Sequence, residues 1–485
     1  MSDLDRKIIR STAWVGVSFG GSQVIGFGLL IVLAHLLTPA EFGLVSLASI
    51  LVVIVTYLQE SGLGMAVIRQ RDDLERAIGT MWVFMVAMSV VLYGVTFGIA
   101  PLLADVFSQS GLTNVVRVLG LLLVIRALGS TAGALIERDL AFRSKAKAEL
   151  GGAAVQAAVA IPLAFAGFGV WSLVAGQLAS QCLTTAVLVA LAPVHPNPRL
   201  ASWSMLRSLG RYGRHVTIGN ILVLANTNVD NVVIGRFLGT AALGYYAMAW
   251  RIANLPAQGL SYIVGRVMFP AYATIQDDAS AFRRAFVMNV QRVALVSLPV
   301  SLGILICADP IIVGLFGERW HPAVAPLRIL GVFGLIRSFS GASGAVFQAA
   351  GRPQLVYQTG FLYAAVLAGA LAALAPPFGI NGVAGAMTIA VFVAFIPAWG
   401  FALRILDLRL RDLLSELRSA GVCSLVLAGA LGVTAVVVRS FDSVLQLVVL
   451  VVCGFVVYGI VLMTLGRSEL RSITAAFRPE GGSSS

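Results

Sequence analysis

Long apolar runs follow one another along almost the whole chain, broken by short clusters of charge or by Pro/Gly turns. Runs of about 20 apolar residues are long enough to cross a bilayer as helices. Cutting at those breaks predicts fourteen helices, at roughly 12–37, 42–68, 77–104, 115–136, 149–167, 170–192, 214–236, 242–272, 286–308, 323–349, 354–375, 379–403, 418–438 and 443–465. Two cuts carry no charge and rest on turn residues alone, at Gly167-Phe168-Gly169 and around Pro376-Pro377-Phe378-Gly379. The stretch 193–213, with Pro193, Pro196 and Pro198 among several arginines, reads as a hinge-like cytoplasmic linker.

Composition sharpens this picture. Of 485 residues 58% are apolar and only 12% charged, about half the charged fraction of an ordinary soluble domain. A soluble enzyme, a disulfide scaffold and a disordered chain are excluded. The class predicted is an all-α integral membrane protein. The net charge of +12 would suggest nucleic acid in a soluble protein, but here its placement decides. With a cytoplasmic N-terminus, 24 Lys and Arg fall in inside loops and 5 in outside loops. That bias sets orientation and puts both termini in the cytoplasm; nucleic acid is not needed to explain it.

The chain also repeats itself. Ala34–Ala48 aligns with Gly235–Ala249 at an offset of 201, Leu37, Ala40, Gly43 and Ala48 recurring as Leu238, Ala241, Gly244 and Ala249. Arg117-Val-Leu-Gly-Leu-Leu-Leu-Val-Ile-Arg126 aligns with Arg328-Ile-Leu-Gly-Val-Phe-Gly-Leu-Ile-Arg337, and Phe168-Gly169 with Phe378-Gly379. Six helices used twice give two lobes the same way up, with a site between them near the midplane. The predicted organisation is an N-lobe over 1–192, the linker 193–213, a C-lobe over 214–403, two further helices over 404–465 and a cytoplasmic tail, 466–485.

Candidate chemistry lies where lipid should be. Arg126 follows Arg117 by nine residues and precedes Glu137 by eleven, placing it ~13 and ~16 Å from those ends and near the bilayer centre. Arg337 is its counterpart. A guanidinium there needs a partner or a wet cavity. Gly129, Ser130 and Gly133 follow Arg126 at i+3, i+4 and i+7, and Ser340, Gly341 and Gly344 follow Arg337 likewise, so small residues leave space beside each arginine. Two guanidiniums on opposing walls suit a pyrophosphate through bidentate bonds, with Arg251 extending the basic surface; structural pairing with Glu60 or Asp230 is the alternative. Glu60 shares a stripe with Ser49, Thr56 and Gly64, and Asp230 sits with Asn220, Thr227 and Asn231. These acids are candidates to bind Na⁺ or a proton, or to serve as static partners of Arg251 or Arg337. Cys182, Cys307, Cys423 and Cys453 show no metal or disulfide spacing, the four histidines form no cluster, and no P-loop, GxSxG or HExxH motif is present. No catalytic residue, metal site or cofactor is predicted.

Several short segments are similar to those of a known family: Leu36-Leu37-Thr38-Pro39-Ala40-Glu41-Phe42-Gly43, Ser61-Gly62-Leu63-Gly64, Asn228-Val229-Asp230, Ile234-Gly-Arg-Phe-Leu-Gly239, Leu243-Gly-Tyr-Tyr246, Phe269-Pro270 and Phe316-Gly317-Glu318-Arg319-Trp320. Through them the chain resembles the Wzx-type polysaccharide-transporter flippases of the multidrug/oligosaccharidyl-lipid/polysaccharide exporter superfamily, up to about residue 410. The resemblance implies fourteen helices in two lobes, alternating access in the bacterial inner membrane, and a polyprenyl-pyrophosphate-linked oligosaccharide as cargo. Glycan polymerases or glycosyltransferases are implied partners. The rivals are a multidrug/cation antiporter of the same superfamily, which would prefer acids in its cavity, and a membrane-embedded glycan polymerase or ligase, which would carry a large outer loop.

Overall fold

The computed structural model describes residues 3–59, 73–139, 141–207, 228–257, 272, 278–352 and 354–464. All regular structure among these residues is helical, and eleven helical stretches are long and apolar enough to cross a membrane. The protein is a multi-pass membrane protein. The chain divides into two compact units, Met1–Gly244 and Tyr245–Ser485.

The first unit begins with α1 (Asp3–Leu36) and α2 (Pro39–Gln59). A two-residue break separates them because Thr38 and Glu41 cap the new helix reciprocally. The Thr38 amide donates to Glu41 Oε2 at 2.7 Å and the Glu41 amide to Thr38 Oγ1 at 3.3 Å. Pro39, with no amide hydrogen to satisfy, takes the first helical position. Then come α3 (Leu74–Val106), α4 (Leu112–Leu119), α5 (Leu121–Arg138), α6 (Phe142–Phe165) and α7 (Val170–Leu191). The predicted single span 115–136 is two helices meeting at Gly120.

The uncharged cut at 167–169 is a tight turn between α6 and α7. Gly169 holds φ 53° and ψ −127°, a conformation open to glycine alone. The two helices then run close together: a Cβ on Gly152 would meet Thr184 Oγ1 at 2.2 Å, and one on Gly176 the Ala160 Cβ at 2.9 Å. Small residues at such crossings let helices approach without water to drive them together.

Residues 193–207 do not hang free as a hinge. The carbonyl of Asn197 lies 2.4 Å from where a Cβ of Gly79 would stand, and the Ser202 amide donates to Thr80 Oγ1 at 3.1 Å. Val194, Met205 and Leu206 pack on the cluster that Ala77, Ile78, Met81 and Met85 of α3 form with Ala127 and Leu135 of α5. Apolar side chains among the prolines dock this stretch. The boundary between units falls later, after Gly244, because residues 240–244 at the start of α8 (Thr240–Ala253) pack on the start of α2.

The second unit holds the rest of α8, then α9 (Ala279–Ile306), α10 (Ala308–Phe316), α11 (Val324–Ala349), α12 (Gln354–Ile405), the short α13 (Leu410–Glu416), α14 (Arg418–Val437) and α15 (Ser443–Thr464). Helix α9 starts seven residues before the apolar run because Asp278 caps it, accepting from the amides of Ser280 and Ala281. The Ala281 amide, first, and the Ser280 hydroxyl and amide hold this exposed carboxyl below its ordinary value.

Helix α12 is a hairpin. Its 52 residues would span about 78 Å if straight, far beyond a bilayer. Gly379 breaks it with φ 55° and ψ −134°, and Tyr363 Oη then reaches Met387 Sδ at 3.4 Å. Twenty-four straight helical residues would hold those atoms ~36 Å apart. Gly169 and Gly379, paired in the sequence, thus share one rare backbone conformation.

Phe286, Val290, Phe347 and Trp399 form the largest described core of this unit. Helix α14 docks on α9 through Ala420 against Ala294 and Leu295, and Tyr458 of α15 donates to the Leu295 carbonyl. The outward side chains stay apolar. Phe455 is 80% exposed and Val436 75%, a surface suited to acyl chains and hostile to water.

Candidate functional site

In the first unit, Arg126 stands on α5 with its side chain accessible. Its Nε donates to Gln181 Oε1 at 3.1 Å, Gln181 Nε2 donates to Thr185 Oγ1 at 3.2 Å, and Thr185 Oγ1 donates to the Ile125 carbonyl at 3.1 Å. The relay leaves α5, runs down one turn of α7 and returns to the residue before Arg126. It fixes the plane of the guanidinium. Gly129 lacks the space expected beside it, since Thr185 Cγ2 lies 3.1 Å from where its Cβ would be. That position serves the α5–α7 crossing. A Cβ on Gly133 would meet none of the described residues within 4 Å. Ser130 spends its hydrogen on the Ala127 carbonyl at 2.8 Å, which leaves oxygen lone pairs as its outward chemistry.

Gln181 and Thr185 are residues that sequence reasoning missed. Their signal was present: two polar side chains four residues apart in an apolar run share a helix face. Gln59 was missed as well. It is 4% exposed and its Nε2 donates to the Leu123 carbonyl at 3.4 Å. Asp230, 1% exposed, accepts from Asn231 Nδ2 at 3.1 Å. Glu60, Asn220 and Thr227 lie outside the described residues. At the basic end of the same unit, Ser18 donates to Glu149, Lys145 pairs with Glu137 and lies 3.9 Å from Glu149, and Arg143 covers Trp14 at 5.6 Å. Charges that the sequence used only for orientation tie α1, α5 and α6 together.

In the second unit, Arg337 stands in the middle of α11, half-buried, with its guanidinium 5.6 Å from the Phe333 ring centre. That geometry satisfies one face of the cation with a π-cloud. Among the described residues nothing lies within 4 Å of a would-be Cβ on Gly341 or Gly344, at i+4 and i+7. Ser340 donates to the Ile336 carbonyl at 3.1 Å.

The helices that carry Arg251 and Arg337 cross. A Cβ on Gly334 would fall 2.1 Å from the Ala253 carbonyl oxygen, so α8 and α11 touch backbone to backbone. Arg337 is three residues beyond that contact and Arg251 two before it, ~4.5 and ~3 Å along their helices. Asn254, 4% exposed, sits at the same crossing, and its Oδ1 has no partner among the described residues. Along their helices Arg337, Arg251 and the buried Asn254 thus each lie within about a turn of one backbone contact. A guanidinium within a membrane helix is costly unless it meets water, a partner or an anion. Among the described residues no group of three His, Cys, Asp or Glu could hold a metal.

Comparison with known proteins places this geometry. Residues 32–325 match the family described as polysaccharide biosynthesis protein. The lipopolysaccharide biosynthesis protein WzxC of Escherichia coli is 27% identical over 370 residues, covering 73% of this chain and 72% of its own. The succinoglycan biosynthesis transport protein ExoT of Rhizobium meliloti is 27% identical over 326 residues, covering 67% and 66%. Among solved structures, the lipid II flippase MurJ in an inward closed conformation superposes with a TM-score of 0.73 at 12% identity, over 94% of this chain and 99% of that one. An inward-facing multidrug resistance MATE transporter of the MOP superfamily gives 0.62 at 18%, over 79% and 94%. The chain belongs to the polysaccharide biosynthesis protein family and is built on the fold of the MOP-superfamily transporters.

Proposed function

We infer that this protein flips a polyprenyl-pyrophosphate-linked oligosaccharide, the repeat unit of an O-antigen, capsule or exopolysaccharide, from the cytoplasmic to the periplasmic leaflet of the bacterial inner membrane. Family membership supports a role in polysaccharide export, and relatives named for lipopolysaccharide biosynthesis and succinoglycan transport support the cargo class. The 24-to-5 distribution of basic residues supports cytoplasmic termini.

The observation that carries the reading is the placement of Arg337 at mid-helix with Arg251 near the same crossing, beside the open positions of Gly341 and Gly344. A diphosphate brings two negative charges and several acceptor oxygens, which guanidinium forks match in the plane. Basic side chains at this depth oppose a cationic cargo, so the antiporter reading fits less well. The same cargo feeds polymerases and glycosyltransferases, which are the partners this reading expects, and it needs no catalytic residue here. Two lobes of six helices rocking around the bound headgroup would expose it to each leaflet in turn.

Asp230 and Glu60 are the proposed sites for a coupling Na⁺ or proton. Proteoliposomes carrying a short polyprenyl-pyrophosphate oligosaccharide and a lectin readout of the far leaflet test both parts. Flipping that requires the purified protein and slows when the ion gradient is dissipated is expected. No flipping of this cargo overturns the cargo assignment, and full-rate flipping without any gradient removes the coupling role of the two acids.

A further inference from the structure

Helices α11 and α12 end in the same way. After α11 the Gly351 amide donates to the Gln348 carbonyl at 3.2 Å and the Arg352 amide to the Phe347 carbonyl at 2.8 Å. After α12 the Asp407 amide donates to the Arg404 carbonyl at 3.3 Å and the Leu408 amide to the Leu403 carbonyl at 2.9 Å. Both are Schellman turns, which place a left-handed residue just past the helix. Gly351 fills that place at φ 69°, as glycine does most easily, whereas Asp407 fills it at φ 48°. A fully exposed carboxylate thus stands where the backbone favours no side chain.

These two turns and the start of α9 line a cavity of about 630 Å³, within the range of small-ligand sites. Phe282, Arg283, Gln348, Ile405, Leu406 and Asp407 are among its walls, and all belong to the unit Tyr245–Ser485. Its polar groups carry both signs. Arg283 Nε donates to the Leu406 carbonyl at 3.1 Å, and Nη2 stands 3.5 Å from Asp407 Oδ2. Those contacts use two of the guanidinium's five N–H donors, and the second is long enough to be loose. The other donors can meet phosphate oxygens, and the Gln348 amide can add to them. Asp407 and the C-terminal ends of α11 and α12, which are the negative ends of their dipoles, suit a cation. Phe282, Ile405 and Leu406 leave the rest of the wall apolar.

Opposite charges side by side on an apolar wall match a zwitterion. The cavity also lies at the ends of three helices long and apolar enough to cross a membrane. Just past Gly351, Tyr357 and Phe361 are exposed on the first two turns of α12, the kind of aromatic side chain that marks a membrane interface. We propose that this cavity binds the headgroup of a phospholipid with a primary ammonium, phosphatidylethanolamine, Arg283 taking the phosphate and Asp407 the ammonium. An anionic headgroup leaves Asp407 without its cation, and a quaternary ammonium has no hydrogen to give it. The residues rest on the cavity alone; the cytoplasmic leaflet rests on the orientation argued above.

The test uses the full-length protein purified in detergent without cargo, so its outcome is independent of flipping. Phosphatidylethanolamine, phosphatidylglycerol and phosphatidylcholine with identical chains are added separately, with retention read by native mass spectrometry and stability by melting midpoint. Phosphatidylethanolamine should be retained about tenfold better than either of the others and raise the midpoint by about 3 °C or more. Arg283→Gln should weaken that retention about tenfold. Asp407→Asn should bring it down to the level of phosphatidylglycerol. Asp407→Gly separates binding from structure: glycine eases the left-handed turn, so the lipid-free protein should melt no lower, yet the ethanolamine preference should vanish. A preference that survives Asp407→Gly overturns the proposal. So does equal retention of phosphatidylglycerol by the parent protein, which decides alone should the variants fail to fold. Glycerophosphoethanolamine carries the headgroup without acyl chains, and a midpoint rise equal to that of the lipid would overturn the lipid as occupant.

Discussion

Arg126 and Arg337 occupy matching places in aligned sequence, yet their surroundings differ in kind. Arg126 is one link in a polar relay through Gln181 and Thr185 that closes on its own helix. Arg337 rests over an aromatic face, on a helix where a Cβ on Gly341 or Gly344 would meet none of the described residues and which crosses the helix carrying Arg251. The first guanidinium is oriented by hydrogen bonds and the second by packing and available room. A relay fixes direction at the cost of donor capacity; an aromatic platform leaves the donors for a ligand.

The comparison is broken most easily at Arg337. Arg337→Ala should cut glycan delivery about tenfold to a hundredfold, the value of one to two charge-assisted bonds, with protein still in the membrane. Arg337→Lys should recover only part, because a point charge cannot present the planar fork. Equal, full delivery in both variants would make this arginine structural. Next in size are the paired turns. Gly379→Ala and Gly169→Ala each force a Cβ into a glycine-only conformation, worth about 1–3 kcal/mol, and should lower the melting midpoint of the detergent-solubilised protein by similar amounts. A neutral effect at either turn would separate the two hairpins.

A smaller effect sharpens the first. Gln181→Leu removes one orienting acceptor and should weaken delivery roughly threefold to tenfold. Combined with Arg126→Ala it should add nothing further, since both act through one guanidinium; additive losses would disconnect Gln181 from Arg126. The smallest effect is at Asp278. Its depressed carboxyl stabilises α9 above the ordinary value of 3.8, and that contribution fades as pH falls below it. Asp278→Ala should lower the melting midpoint at pH 7, and the gap to the parent should close toward pH 3. A gap independent of pH would assign the cap to shape alone.

Much of the molecule was legible in the chain. Among the described residues most helix positions were readable because a membrane-spanning helix must be apolar over its whole length, and the Gly379 turn because only glycine tolerates its backbone. The mid-helix position of Arg337 on α11 followed from counting residues between the ends of the apolar run. Gln181 and Thr185 were overlooked since two polar side chains in an apolar run do not say which neighbour they will face. Gly129 looked like open space and is filled by Thr185, and the proline-bearing stretch 193–207 looked loose and is docked on α3.

Sequence alone therefore determined the membrane class and the all-helical build, and it supplied the orientation signal and the position of each arginine along its helix. These depend on composition and on distances along the chain, which the chain carries wherever it folds. Only the tertiary structure decided which glycines are crossings and which are gaps, which arginine sits in a relay, and that the starts of α2 and α8 meet. Those outcomes depend on which faces of distant helices approach within a few ångströms, and a helix's own residues do not name the partner it will meet.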